Sequence, residues 1–174
     1  VAPATEMSAV GHAITLSDPL RAYEYKKNGE LFGYAVTGTP ADCVKIAYWA
    51  LLKDKPKPDL LISGINLGSN TGINTIYSGT VSAATEGAIL GLPSFAVSLA
   101  SYTHLDFSVA AEFAAKLAKI LSSQKLPENV FLNVNVPPVK KEELNGVKIT
   151  RQGLSSYWEE FETRSDPRQR KYYW

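Results

Sequence analysis

The sequence has little of what many catalytic and structural sites require. It contains one cysteine, Cys43, and two histidines, His12 and His104, in 174 residues. A single cysteine excludes an intramolecular disulfide, and so few sulfur and imidazole ligands exclude a structural zinc cluster. We therefore expect a protein of a reducing compartment, the cytoplasm.

Strong charge and long apolar runs are also missing. The net charge of +1 gives no electrostatic basis for binding nucleic acid or an anionic membrane surface. No apolar run approaches the roughly 20 residues that a membrane-spanning helix needs. Because 45% of the residues are hydrophobic, the chain can still bury about 70% of its unfolded surface. One soluble globular domain is expected.

Common nucleotide and hydrolase motifs are absent as well. The sequence has no G-x-G-x-x-G, no G-x-x-x-x-G-K-[ST] and no G-x-S-x-G, which excludes a dinucleotide fingerprint, a Walker loop and a serine-hydrolase elbow. His12 and His104 stand in predicted loops, and Glu86 stands inside a predicted helix. We interpret all three as hydrogen-bonding or packing residues rather than as a catalytic base.

Local signals predict a hairpin and a capped helix in the first third of the chain. Asn28-Gly29 separates AYEYKK from ELFGYAV and favours a type I′ turn, because both central residues of that turn need positive φ. Thr39, Pro40 and Asp42 form a helix-start pattern. The helix is expected to run to about Asp54, with an apolar face formed by Val44, Ala47, Ala50 and Leu51.

Short apolar strands alternate with helices in the rest of the chain. The predicted strands are DLLIS, PSFAVSL and VFLNVNV; a helix of small residues separates the first two, and a helix from Asp106 to about Ser123 precedes the third. This alternation is typical of parallel β-α-β units. We predict one α/β domain with a C-terminal extension that follows Pro137-Pro138.

The stretch SGINLGSNTGINTIYSGTVSAATEG predicts a ligand site. Ligands of open parallel sheets bind beyond the carboxyl ends of strands, where we place a loop over Gly64 to Tyr77. Its glycines allow the backbone to approach a ligand, and its asparagines supply uncharged amide groups. These residues are Gly64, Gly68, Gly72, Asn66, Asn70 and Asn74.

The helix after this loop begins near Ser78-Gly79-Thr80 and carries no acidic residue before Glu86. Its positive end is therefore unneutralised, and its free N–H groups and hydroxyls suit an anion, most simply phosphate. Ordinary helix capping is the alternative interpretation of these hydroxyls. A smooth helix face is expected to pack tightly on the sheet; it consists of Ala83, Ala84, Gly87, Ala88 and Gly91.

Several segments, in their order and spacing, resemble the survival protein E (SurE) family of metal-dependent nucleotidases. They are VAPATEMSAVGHAITL, TGTPADCV, SGINLGSNTG, YSGTVSAATEG, PSFAVS, NVNVP and TRQG with DPRQRKYYW. The resemblance implies a cytoplasmic phosphatase for nucleoside 5′-monophosphates, with 3′-monophosphates left open. It also implies a three-layer, Rossmann-like, mainly parallel sheet in a core at residues 1–138, and an oligomerisation arm at 139–174 that supports a homodimer or homotetramer.

The resemblance further implies one divalent cation, Mg²⁺ or Mn²⁺, in each subunit. Its ligands would be two aspartates of an N-terminal NDDG motif, Ser8 and Asn66, and such oxygen ligands suit a hard cation. The phosphate would meet Asn70, Ser78, Gly79 and Thr80. No Asp-Asp pair occurs in this sequence, so the catalytic residues are unknown and the aspartates are expected upstream of Val1.

The sequence also departs from the family's pattern within the matched region. Ala4 and Thr5 stand where the family commonly has Asp and Arg, and Met7 replaces a polar or basic residue. Two function classes therefore stay open: the nucleotidase, and a module that binds a phosphorylated ligand at the same helix end without hydrolysing it.

The C-terminal residues from Arg151 to Trp174 are rich in aromatic and charged side chains. From Arg151 onward, five basic residues face four acidic ones, so a nucleic-acid patch is disfavoured. The aromatic residues instead predict self-association. They are Tyr157, Trp158, Phe161, Tyr172, Tyr173 and Trp174.

Overall fold

The computed structural model describes residues 1–124, 126–154 and 158–174, and its first sheet is built around the predicted hairpin. Strand β1 (Ala2–Pro3) pairs in parallel with β3 (Glu30–Val36), and β2 (Ala22–Lys27) pairs antiparallel on the other side of β3. Asn28 and Gly29 have φ angles of 55° and 84°. These are the left-handed values that the type I′ turn requires, so the predicted hairpin is confirmed.

The helix after this sheet begins as predicted but ends early. Helix α1 (Pro40–Ile46) starts with a capping box between Thr39 and Asp42, and a π-helical turn (Ala47–Leu51) continues it. A π turn holds more residues than an α turn and rotates the following side chains out of the predicted face. Ala50 is consequently exposed, and the buried side is formed by Ala41, Asp42 and Cys43.

The second sheet is parallel, as the alternation of strands and helices predicts. Its strands are β4 (Leu61–Leu67), β5 (Ser94–Leu99) and β6 (Leu132–Val136), in the spatial order β4-β5-β6. All six residues of β5 are buried, as expected for the central strand of a sheet that is covered on both faces. Strand β6 begins two residues later than the predicted VFLNVNV.

The prediction of a loop over Gly64 to Tyr77 is wrong at both ends. Strand β4 continues through Leu67, because a register shift between Ser63 and Asn66 allows it to stay paired with β5. A short helix, α2 (Asn74–Tyr77), occupies the other end. The irregular connection is therefore limited to residues 68–73.

Helices cover both faces of the second sheet. Helix α3 (Gly79–Ile89) packs Val81 and Ala84 against Ala96 of β5. Helix α4 (Ser108–Ser123) packs on the opposite face, against Phe95 and Val97; it begins two residues after the predicted start. Because successive strand residues point to opposite faces, this arrangement gives the three-layer α/β architecture that the sequence predicts.

The C-terminal region adds a 3₁₀ turn (Lys141–Glu143) and a separate antiparallel hairpin. Strands β7 (Thr163–Ser165) and β8 (Lys171–Tyr173) form this hairpin, which carries exposed aromatic side chains. Tyr157 lies outside the described residues. Within the described ranges, no helix is both long enough and apolar enough to cross a membrane.

A buried carboxylate fixes the segment between β1 and β2 to the start of α1. Asp42 is 2% exposed and accepts hydrogen bonds from Thr15 N and Oγ1 and from Thr39 N, at 2.6–3.2 Å. Burial raises the pKa of this carboxyl, but the hydrogen bonds from Thr15 and Thr39 outweigh burial and hold the pKa below its ordinary value of 3.8. The ionised carboxylate is therefore the form that stabilises the fold.

Replacement of Asp42 by asparagine is expected to lower the free energy of unfolding at pH 7 by about 1–3 kcal/mol, because an amide nitrogen then faces hydrogen-bond donors. Because the pKa of Asp42 is lower in the folded than in the unfolded protein, the ionised carboxylate stabilises the fold above pH 3.8. This stabilisation is lost as the pH falls through the folded-state pKa. Urea unfolding between pH 2 and 7 should thus show a flatter acid limb in Asp42→Asn than in the unsubstituted protein. Asp54→Asn, at an exposed position, is the control. Equal acid limbs in all three proteins would contradict the assignment.

Candidate functional site

An open cleft of about 780 Å³ lies at the carboxyl end of β4. Three segments line most of it: the loop after β1, the end of β4 with the connection that follows, and the start of α3. The sequence-predicted residues Ser8, Asn66, Asn70, Ser78, Gly79 and Thr80 all line this cleft. The structure therefore brings the proposed metal ligands and the proposed phosphate ligands to one place.

The loop after β1 contributes hydroxyl and carboxylate groups. Ser8 Oγ donates a hydrogen bond to Glu6 Oε1 at 2.7 Å, and both residues are exposed. Thr5 and Met7, two of the positions that depart from the family pattern, also line the cleft. Sequence reasoning missed Glu6, although its two-residue separation from Ser8 was an available signal.

Asn66 joins strand β4 to helix α3. Its Oδ1 accepts a long hydrogen bond from Thr80 Oγ1 at 3.5 Å, while its Nδ2 donates to the Gly68 carbonyl at 2.7 Å. The second bond orients the amide, so that its oxygen points toward the start of α3. An uncharged oxygen acceptor and a hydroxyl donor therefore meet at the carboxyl edge of the sheet.

The start of α3 has the character of an anion site, with one hydroxyl used as a cap. Ser78 Oγ accepts a hydrogen bond from Val81 N at 3.1 Å, which is the capping alternative considered from the sequence. The first turn contains no acidic residue. The leading N–H groups of a helix have no intrahelical acceptor, so those of Gly79 and Thr80 remain suited to an anion at the positive end of the helix.

Asn70 is held by a network of amides. Its Nδ2 donates to Ser98 Oγ and its main-chain N donates to Asn135 Oδ1, both at 2.8 Å, while its carbonyl accepts from Asn133 and Asn135. Asn70 is buried, and one role of its side chain is to anchor the connection after β4. Sequence reasoning missed Asn133 and Asn135; their i, i+2 spacing within an apolar strand was the available signal.

Protein atoms occupy the space beside three glycines expected to admit a ligand. A Cβ on Gly64 would lie 2.3 Å from the Val97 carbonyl, one on Gly68 would lie 2.7 Å from the Tyr102 ring, and one on Gly79 would lie 2.7 Å from Pro40. The groups that come close to these three glycines are therefore parts of the protein: a neighbouring strand, an aromatic ring and helix α1.

His12 and Glu86 are hydrogen-bonded through their side chains, and His104 forms a hydrogen bond through its main chain. His12 Nε2 donates to Glu86 Oε1 at 2.7 Å, and Lys45 Nζ lies 3.3 Å from Glu86 Oε2. The main-chain N of His104 donates to Ser101 Oγ at 2.8 Å. Neither histidine is among the residues that line the cleft.

The donor groups in the cleft suit a hard cation in kind. Ser8 Oγ and Asn66 Oδ1 are neutral oxygens, and Glu6 is the one carboxylate among the described residues that line the cleft. Within the same described ranges, no group of three or more His, Cys, Asp or Glu side chains is placed to hold a metal ion. Oxygen atoms of these types are the ligands that hard divalent cations prefer.

Comparison with known proteins identifies close relatives. The sequence model of the family "Survival protein SurE" matches residues 1–159. The chain is 54% identical to the "5′-nucleotidase SurE" of Syntrophobacter fumaroxidans and 53% identical to that of Syntrophus aciditrophicus. Both matches cover 100% of this chain, and they cover 69% and 65% of those proteins.

A solved structure agrees with the sequence relatives. The fold is similar to that of the SurE protein from Aquifex aeolicus, with a TM-score of 0.78 and 42% sequence identity. That match covers 96% of this chain and 66% of the other. The chain thus spans about two thirds of the length of the relatives it matches.

Proposed function

This chain belongs to the survival protein SurE family, and we propose that it acts as a nucleotidase, removing phosphate from nucleoside 5′-monophosphates with the help of a divalent cation. The names of its relatives support the reaction class. The observation that carries the proposal is the cleft in which Asn66 Oδ1 and Thr80 Oγ1 lie 3.5 Å apart. A cation ligand and a phosphate ligand at this separation suit a phosphate ester held against a metal.

The start of α3 would bind the phosphate. The N–H groups of Gly79 and Thr80 and the Thr80 hydroxyl provide donors at the positive end of the helix, without an acidic neighbour in the first turn. Donors that are already oriented also stabilise the charge that develops on the phosphoryl oxygens. Asn70, whose position is fixed by hydrogen bonds to Ser98 and Asn135, would also contact the phosphate.

Ser8 and Asn66 would hold the cation, which we propose to be Mg²⁺ or Mn²⁺. When bound, such an ion neutralises phosphate charge and orients or activates the attacking group. Glu6, next to Ser8, gives this side of the cleft a negative charge that favours a cation.

Two exposed aromatic rings support a nucleoside rather than a bare phosphate ester as the substrate. Tyr77 and Tyr102 line the cleft and keep 51% and 73% of their surface exposed. Exposed tyrosines offer an apolar face and a polar edge, which suit a base and a sugar. Nucleoside 3′-monophosphates are the second substrate class that we propose for the same cleft.

Replacement of Asn66 by alanine in the complete protein is expected to weaken Mn²⁺ binding and lower turnover. Loss of a direct oxygen ligand should cost more than the roughly 10–100-fold in affinity that changes around metal ligands typically cost. Metal titration and steady-state hydrolysis of a nucleoside monophosphate measure the two effects. Asn145→Ala, at an exposed position outside the cleft, is the control. Unchanged affinity and turnover in Asn66→Ala would refute the assignment.

The two hydroxyls at the start of α3 should respond differently to removal. Thr80→Val is expected to lower hydrolysis by about 10²-fold and to weaken inhibition by free phosphate, because one oriented donor is lost. Ser78→Ala should in addition cost about 1 kcal/mol of stability, because Ser78 caps the helix. Kinetics and thermal unfolding separate the two effects.

Thr85→Val is the matched control for Thr80→Val, since the Thr85 hydroxyl bonds the Val81 carbonyl within the same helix. A loss of stability with unchanged kinetics and phosphate inhibition would reduce both hydroxyls to structural roles. Phosphate binding by the unsubstituted protein without any hydrolysis would favour the alternative, a phosphate-binding module.

We also propose that the C-terminal hairpin mediates self-association into a dimer or tetramer. Beside this hairpin, Trp158, Phe161 and Trp174 are 100%, 68% and 78% exposed, and exposed apolar side chains that lie together mark an interaction surface. The combined substitution Phe161→Ser and Trp174→Ser should lower the sedimentation coefficient. Leu154→Ser, at an exposed position outside the hairpin, is the control. A parent protein that sediments as a monomer would refute the proposal.

A further inference from the structure

Helix α3 contains a buried carboxylate that takes no part in the cleft. The Glu86 side chain is 5% exposed, and both of its oxygens are engaged. Oε1 accepts a hydrogen bond from His12 Nε2 at 2.7 Å, and Oε2 lies 3.3 Å from Lys45 Nζ. The carboxylate thus connects three segments: helix α3, helix α1 and the loop after β1.

These contacts are strongly held, because a buried carboxylate without partners is costly. Transfer of a charged group out of water is unfavourable unless hydrogen bonds and opposite charge compensate it. The fold therefore favours conformations in which His12 and Lys45 both stay at Glu86. Lys45 is itself 43% exposed, so the buried member of the set is Glu86.

The His12 contact lies four residues after Ser8, in a segment without regular secondary structure. Ser8 itself donates to Glu6, within the same segment. The adjacent Gly11 N donates to the Tyr77 carbonyl at 2.8 Å, and Gly11 has a φ of 59°. The position of Ser8 relative to α3 therefore depends on the neighbouring anchors at Gly11 and His12.

We propose that Glu86 is a positioning residue for the metal side of the cleft. Through His12 it holds the loop that carries Ser8 against α3, the helix that also carries Thr80. This inference rests on the proposed function, since it assigns to Glu86 the placement of a metal ligand that it does not contact.

The test compares metal binding and loop opening in variants of the complete protein. Glu86→Gln removes the charge with little change of size, and His12→Ala removes the donor. Each should weaken Mn²⁺ binding by about 10–100-fold, as is typical of changes around a metal ligand. Each should also speed amide hydrogen exchange in residues 5–12 of the metal-free protein. His12→Gln keeps a donor that can reach the carboxylate and should restore both properties.

Glu112→Gln is the matched control, because Glu112 pairs with Lys116 and Lys141 on the surface of α4. It should leave both readouts unchanged. If Glu86→Gln does not fold, the inference is tested by comparing the Mn²⁺ affinity and the amide exchange of His12→Ala with those of His12→Gln. Folded variants with unchanged Mn²⁺ affinity and unchanged exchange in residues 5–12 would overturn the inference, even if their melting temperatures fell.

The two readouts also separate this inference from the proposed function. Absence of Mn²⁺ binding in the unsubstituted protein would refute the metal site and leave the exchange experiment to report on the Glu86 contact. Mn²⁺ binding that is lost in Asn66→Ala but unaffected by Glu86→Gln and His12→Ala would support the metal site and overturn the positioning role.

Discussion

The close packing of helix α3 on strands β4 and β5 is the contact on which the rest of the structure depends. A Cβ at Gly87 would lie 2.8 Å from the Ser94 side chain and 3.1 Å from that of Leu61. Ser94 Oγ donates to the Ala84 carbonyl at 2.8 Å, so the helix backbone itself reaches the sheet. This packing holds the start of α3 at the carboxyl end of β4, beside Asn66.

The small and amide-bearing residues of the segment 63–87 make close contacts and hydrogen bonds within the protein itself. The space beside Gly64 is filled by the Val97 carbonyl, and the space beside Gly79 by Pro40. Asn70 is bound by asparagines of β6. The segment is rich in such residues because a strand, a helix start and a connecting loop must all come close together there, and the cleft lies where those three parts meet.

Elements with local causes could be predicted from the sequence. Asn28-Gly29 determines its turn through backbone φ, and Thr39 with Asp42 caps α1 through bonds that span three residues. The small-residue helix and the parallel sheet also follow from local pattern. The position of the cleft follows in turn, because parallel strands place their carboxyl ends at one edge.

Features with nonlocal causes could not be predicted. Glycine and asparagine in SGIN favour a loop locally, yet pairing with β5 keeps these residues in β4. The π turn that exposes Ala50 has no local signature in the sequence. Glu86 and His12 are 74 residues apart, so the local pattern left open whether Glu86 packs or pairs and did not indicate its partner.

Helix packing joins the two sides of the cleft. Ser8 follows β1 of the first sheet, and Asn66 belongs to β4 of the second. Helix α1 packs on β1 and on α3, and α3 packs on β4 and β5. The relative position of the two oxygen donors is therefore set where Gly79 meets Pro40 and where Glu86 meets its partners. A substitution of Pro40, on the α1 side of that contact, should consequently alter the cleft without removing a proposed ligand, because the cleft's two sides are joined there.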